Sequence, residues 1–174
     1  MLKTERLVLR PFKETDAEGL HAYLGDEEVV RYEPYGAMTM EECRLEAARR
    51  ASDEAFWAVC LADGALIGNL YLSGADEFGT REIGYVFARA CWHKGYATEA
   101  ARRLMAYAFE RLATRRIIAL CDTRNAASFA LMERLGMRRE GEFKKNVGFK
   151  TDAHGNTIWT DSYQYAILKE EFES

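Results

Sequence analysis

The sequence predicts a mixed α/β (α+β) fold, a central and mostly antiparallel twisted sheet flanked by about four helices. Three observations carry that expectation. Phe56–Leu61, Ala65–Leu72 and Thr80–Ala88 are aromatic and apolar segments, the first two joined by the hairpin-type turn Asp63-Gly64. Tyr96–Leu112 then switches to a helical period, with Ala97, Ala100, Ala101, Leu104, Ala108 and Leu112 on one stripe. Ile117-Ile118-Ala119-Leu120-Cys121 is a continuous apolar run, the pattern of a strand buried on both faces.

The remaining elements follow in chain order. Thr4–Arg10 alternates, with Leu7 and Leu9 on one face and Arg6, Val8 and Arg10 on the other, and reads as a strand. Thr15 and Asp16 can cap a short helix through about Leu24. Thr39-Met40-Glu41-Glu42 is a capping box, since the hydroxyl and the carboxylate three residues on can satisfy each other's free amides. A second helix is expected from there to about Ser52. Ala126–Leu135 is a shorter helix stopped by Gly136. Strands at about Arg138–Val147 and Ile158–Leu168 close the chain around a turn at Asp152–Asn156.

Length and composition bound the function. One domain over residues 1–174 is expected, since single cores organise roughly 100–200 residues. With 24 Lys+Arg against 28 Asp+Glu the net charge is −4, which argues against a nucleic-acid module. The first residues lack the apolar run of a signal peptide and no stretch is long enough to span a bilayer, so a cytoplasmic address without membrane association is expected. Cys43, Cys60, Cys91 and Cys121 are scattered, and His21, His93 and His154 are isolated; no metal-ligand spacing appears. The cysteines read as small apolar fillers.

The stretch Glu82–Ala100 runs from an apolar strand through a loop into the long helix. A helix start exposes unpaired amides and favours an anion. Gly95 and Ala97 would let a phosphate approach the backbone, and Lys94 adds a cation nearby. An ordinary strand-to-helix connection would look the same. Gly74–Gly79 has the glycine spacing of a P-loop, but Thr80-Arg81 follows in place of Lys-Ser or Lys-Thr. Neither a dinucleotide fingerprint nor a Gly-x-Ser-x-Gly elbow is present.

Trp92-His93-Lys94-Gly95-Tyr96-Ala97, followed by Thr98-Glu99-Ala100, resembles the cofactor motif Gln/Arg-x-x-Gly-x-Gly/Ala of the GNAT acyltransferase superfamily. Thr4–Pro11, Asn125-Ala126-Ala127-Ser128, Leu135-Gly136-Met137 and Asp161–Leu168 are similar, in the same order, to the branch holding ribosomal-protein N-terminal acetyltransferases and spermidine acetyltransferases. The resemblance implies a GNAT-like fold and an acetyl-CoA-dependent N-acetyltransferase in which a primary amine, on a protein N-terminus or a small molecule, attacks the thioester directly. It implies that acetyl-CoA meets Trp92, His93, Lys94, Gly95, Tyr96, Ala97 and Thr98 at its pyrophosphate. The strand Tyr85, Val86 and Phe87 would pair with the pantetheine arm. Asn125 would also bind that arm, with Ser128 near the sulfur; Asn125 equally suits a helix cap. A homodimer is a further expectation of the same kind.

Two positions depart from the family pattern. Trp92 stands where Gln or Arg would contact phosphate, and Met132 stands where many relatives carry a tyrosine acid one turn after the Ser128 position. Ser128 is then the nearest replacement, or the thiolate leaves unassisted. Glu82 breaks an apolar strand on the face opposite Ile83, Tyr85 and Phe87, and is the first candidate for the base that frees the amine. A charge at a solvated strand end would look the same. His93 is a rival of a residue type often used as a base, but it sits within the phosphate loop. Glu27, Glu28 and Glu33 suit a cationic acceptor. The basic groups Arg102, Arg103, Arg111, Arg115, Arg116, Arg134, Arg138 and Arg139 read as solvated faces, or as contacts to the 3′-phosphate of CoA. The alternative to an enzyme is a module that senses acyl-CoA without turnover.

Overall fold

The computed structural model describes residues 1–172. The strand expected at Thr4–Arg10 divides in two, β1 (Leu2–Lys3) and β2 (Leu7–Pro11). Thr4 makes the break: its amide donates to the Leu7 carbonyl (3.0 Å) and its hydroxyl accepts from the Leu7 amide (2.9 Å), folding β1 back on β2. A 3-10 turn at Glu14–Asp16 leads into α1 (Ala17–Leu24), and here the expected cap is corrected. Asp16 makes no side-chain cap. Its carboxylate takes both prongs of the Arg10 guanidinium at 2.8 Å and the Lys13 amide at 2.8 Å. A forked, charge-assisted pair outcompetes a lone backbone donor.

Helix α2 (Met40–Ala51) begins at the expected box, with the Glu42 amide donating to the Thr39 hydroxyl (3.2 Å) and the Thr39 amide to the Glu42 carboxylate (2.7 Å). The meander follows as β3 (Phe56–Leu61), β4 (Leu66–Leu72) and β5 (Thr80–Phe87), then α3 (Tyr96–Arg111), β6 (Arg116–Asp122) and α4 (Ala126–Arg134). Gly136, at φ 83°, ends α4 as expected. The chain closes with β7 (Arg138–Thr151), β8 (Thr157–Leu168) and a short fifth helix, α5 (Lys169–Phe172). β7 outruns its expected end at Val147. Its register on β8 slips between Phe143 and Val147, around the left-handed Lys145 (φ 47°), so regular alternation is lost where the sequence reading stopped.

All eight strands form one sheet in the order β1-β2-β3-β4-β5-β6-β8-β7, and only β5 and β6 run parallel. One face carries α1 and α2 over Phe12, Ala58 and Val86; the other carries α3 and α4 over Leu70, Ile83, Phe87 and Ile117. The apolar run in β6 is not buried on both faces throughout. Ile117, Ala119 and Cys121 are inside, but Leu120 is 38% exposed, because the cluster under α1 and α2 does not extend over β6.

The register between β5 and β6 positions everything that follows. Thr80, Arg81 and Glu82 pair with Arg116, Ile117 and Ile118, and there the pairing stops. Beyond it β5 stays paired only to β4, through Ile83–Phe87, and β6 only to β8, through Asp122. The sheet therefore opens into a V whose edges carry unpaired backbone groups.

Candidate active site

The arm of the V formed by β5 leads directly to the start of α3. Gly95 is the N-cap residue in a left-handed conformation (φ 79°), which glycine adopts at little cost. No side chain caps this helix, and its first internal bond is from the Glu99 amide to the Gly95 carbonyl. Among the described residues the amides of Tyr96, Ala97 and Thr98 have no hydrogen-bond partner. Three convergent donors at the positive end of a 16-residue helix form a ready anion cradle. His93 is also left-handed (φ 59°), and both His93 and Lys94 are exposed on the loop.

Glu99, in the first turn of α3, would repel an anion if left alone. The Thr4 hydroxyl (2.5 Å), the Arg6 amide (3.0 Å) and the Arg6 guanidinium (2.7 Å) all bind its carboxylate. Burial opposes the charged form, yet these bonds outweigh it and hold Glu99 below the usual carboxylate range. Arg6 also donates to the Lys94 carbonyl (3.0 Å) and lies over the Tyr96 ring at 4.5 Å. The N-terminal Thr4–Arg6 segment thus fixes the loop before α3, a long-range role that sequence spacing does not signal. Trp92 points away from the phosphate role of the Gln/Arg it replaces. Its indole donates to the Phe87 carbonyl (2.9 Å), pinning the end of β5 to the loop.

Helix α4 starts on the opposite arm of the V. The Asn125 side-chain oxygen accepts from the Ser128 amide (3.1 Å), so the capping role is realised, while its side-chain nitrogen makes no bond among the described residues. Tyr85 reaches across from β5: its hydroxyl donates to the Ser128 carbonyl (3.0 Å) and lies 3.0 Å from the Ser128 hydroxyl. Burial pushes the Tyr85 phenol above its ordinary range, with the Ser128 bond pulling partly back. Burial also pushes the Cys121 thiol up to about 11, with the Ser128 side chain pulling partly back. Met132 is fully buried beneath this group.

On the other face, Glu82 lies on the same side of β5 as Val86, toward α1 and α2. Its carboxylate has no hydrogen bond or ion pair among the described residues, and burial alone raises its pKa. The same face carries a network that sequence reasoning missed. Arg50, 2% exposed, donates to Glu46 (2.6 Å) and to Asn69 (3.0 Å), and the buried Tyr23 hydroxyl donates to the same Asn69 oxygen (2.9 Å). These partners are 19 and 46 residues apart, beyond any local pattern. Burial works against charge on Glu46, but its bonds to Arg49 and Arg50 hold it below the usual range.

Glu33, in the loop between α1 and α2, has its pKa raised to about 7 by burial, with Arg50, Tyr35 and Lys150 pulling the other way. That loop is tied across the V. The Tyr32 hydroxyl donates to the Arg124 carbonyl (3.3 Å) before α4, and the Lys150 ammonium of β7 donates to the Arg31 carbonyl (2.8 Å). Glu27 and Glu28 are exposed on the surface of the same loop.

Most of the basic residues are engaged within the protein. Arg116 and Arg138 pair with Glu140, Arg139 lies over the Tyr163 ring at 4.2 Å, and Arg102, Arg103 and Arg115 donate to carbonyls. All four cysteines are free, with Cys43, Cys60 and Cys121 buried as fillers. Among the described residues no helix is long and apolar enough to cross a membrane, and no group of His, Cys, Asp and Glu could hold a metal ion.

A parallel strand pair that splits, with an uncapped helix start at one arm and a hydroxyl group at the other, defines a site class that offers unpaired amides to an extended, anionic ligand. The particular family follows from comparison. The family model described as "Acetyltransferase (GNAT) domain" matches residues 6–138, and the chain belongs to that family. It is 36% identical over 173 residues to "Uncharacterized N-acetyltransferase YnaD" of Bacillus subtilis, covering 98% of each. It is 39% identical, with a TM-score of 0.88, to the crystal structure of a GNAT-family acetyltransferase from Bacillus anthracis, covering 97% of this chain and 98% of that one. The fold alone is shared with a spermidine N-acetyltransferase from Vibrio cholerae solved in complex with CoA and spermine (20% identity, TM-score 0.80, 98% and 100% covered). The chain is an acetyltransferase enzyme of the GNAT family.

Proposed function

We propose that residues 1–174 form a single cytoplasmic N-acetyltransferase domain that moves the acetyl group of acetyl-CoA to a primary amine by direct attack on the thioester, without metal, nucleic acid or membrane. The observation that carries this reading is the continuity of the unpaired edge of β5 with the uncapped start of α3. Unpaired amides in line with a left-handed glycine fit an extended arm ending in a diphosphate. Tyr96, Ala97 and Thr98 would hold the pyrophosphate by their amides, with Lys94 beside them and Trp92, His93 and Gly95 shaping the loop. Tyr85, Val86 and Phe87 would pair with the pantetheine, and the Asn125 side-chain nitrogen would meet it from the other arm.

The chemistry needs a neutral amine, a donor for the oxyanion and an exit for the thiolate. Glu82, its carboxylate without a partner among the described residues and its pKa raised by burial, faces the acceptor side and takes the amine's proton. An amide of Tyr85–Phe87 faces the developing oxyanion, and Ser128 lies at the sulfur. The carboxylates of Glu33 and Glu82 on this face suit an acceptor that arrives as an ammonium, whether a protein N-terminus or a small molecule. The test is thiol release from acetyl-CoA across a panel of primary amines. Release with at least one amine, and its loss in Glu82→Gln, is expected. CoA-dependent thermal stabilisation without release from any amine would establish the non-catalytic sensor instead.

A further inference from the structure

The thiolate has no obvious proton source on α4, because Met132 occupies the position one turn after Ser128 and is fully buried. The structure supplies a phenol from the opposite arm. Tyr85 stands on the unpaired stretch of β5, and its hydroxyl spans the gap to within 3.0 Å of both the Ser128 hydroxyl and the Ser128 carbonyl. The ring is held by the core beneath α3 and α4, so the hydroxyl is placed by packing rather than by a mobile chain. Among the described residues nothing charged binds it directly. The groups that face it are the Ser128 hydroxyl and Cys121 thiol from α4 and β6, with Arg134 and Glu33 felt at longer range.

We propose that Tyr85 is the proton source for the departing thiolate, delivering through the Ser128 hydroxyl. This deepens the acyl-transfer reading and rests on it. A serine alone would be left as an alkoxide if it gave up a proton; a serine refilled by a phenol leaves the charge on the aromatic oxygen. The step balances. The amine nitrogen forms its bond to the carbonyl carbon and loses one proton on the acceptor side. The C–S bond breaks with its electron pair on sulfur, sulfur takes the Ser128 proton, and the Tyr85 O–H turns from the Ser128 carbonyl to the Ser128 hydroxyl oxygen and gives up its proton there. The phenolate is then reprotonated from solvent, to which Glu82 passes on the proton it took from the amine. Burial keeps the phenol protonated across the neutral range, so the relay is loaded at the start of each turnover.

The test compares leaving groups. Tyr85→Phe keeps the ring and removes one hydroxyl. With acetyl-CoA its turnover is expected to fall by about 10- to 100-fold, at the low end of acid–base contributions. CoA affinity should stay within about twofold of wild type, since the arm pairs with backbone there. With the acetyl thioester of an aryl thiol, whose thiolate leaves without a proton, the loss should shrink to under about threefold. Tyr85→Phe combined with Ser128→Ala should be no slower than the slower single variant, because the two act as one unit. If Tyr85→Phe does not fold, Ser128→Ala carries the same donor comparison. Equal losses on both donors, or full activity in Tyr85→Phe, overturn the relay alone. Wild-type protein that releases no thiol with any amine overturns the acyl-transfer reading and the relay together.

Discussion

The two faces of the sheet build their halves of the candidate site from different materials. On the α3–α4 face the groups that matter are mostly backbone: the open edge of β5 and the amides of Tyr96, Ala97 and Thr98. On the α1–α2 face they are side chains, with Arg50, Glu46, Asn69 and Tyr23 locked in a buried network beside Glu33, and Glu82 on the same face. A site made of backbone tolerates changed side chains, and Trp92, standing where the family motif has Gln or Arg, braces the Phe87 carbonyl. A site made of buried charge does not tolerate them, because each partner left alone keeps its desolvation cost.

The sharpest way to break that contrast is Arg50→Ala. It removes a buried guanidinium from Glu46 and Asn69, and a loss of about 3–5 kcal/mol is expected by chemical denaturation. A loss below about 1 kcal/mol, the worth of a surface pair, would mean the network is not structural. Gly95→Val attacks the other face. A β-branched residue forced to φ 79° should cost about 1–2 kcal/mol of stability. CoA affinity should fall by about tenfold or more, read by calorimetric titration, where tenfold equals 1.4 kcal/mol. Thr39→Ala removes the α2 cap and should cost about 1 kcal/mol with CoA affinity unchanged.

The smallest effect concerns pH. Glu33 has a folded pKa of about 7, above its unfolded value, so the native state holds the proton more tightly. Its contribution is fully present below the unfolded pKa and is lost as pH rises through about 7. Arg50, Tyr35 and Lys150 face it and limit the loss. Glu33→Gln should match wild type at pH 4 and exceed it by under about 1 kcal/mol at pH 8, after discounting for its partial exposure. Thermal melts at the two pH values read this directly; a variant less stable than wild type at pH 8 would show that Glu33 is stabilised as the anion.

The contrast between faces also explains what the sequence made legible. The α3 stripe, the Thr39–Glu42 box and the Gly136 stop are periodic or local signals, and each appears where expected. The helix start at Gly95 was readable because glycine and alanine spacing reports directly on backbone geometry. The side-chain half was not, since Arg50 and Asn69, or Tyr23 and Asn69, meet only through strand pairing and helix docking. Asp16 shows the same limit at short range: its cap pattern was correct in form, but Arg10 on β2 claimed the carboxylate. The point at which β5 and β6 part, after Glu82 and Ile118, has no composition signature at all.

That parting is the centre of the account, and amide hydrogen exchange with and without CoA tests it most directly. Protection is expected to rise at residues 83–87 of β5 and at Tyr96–Thr98 when CoA binds, with α1 and α2 little changed. CoA binding that leaves both stretches exchanging as before, and protects another surface instead, would contradict it.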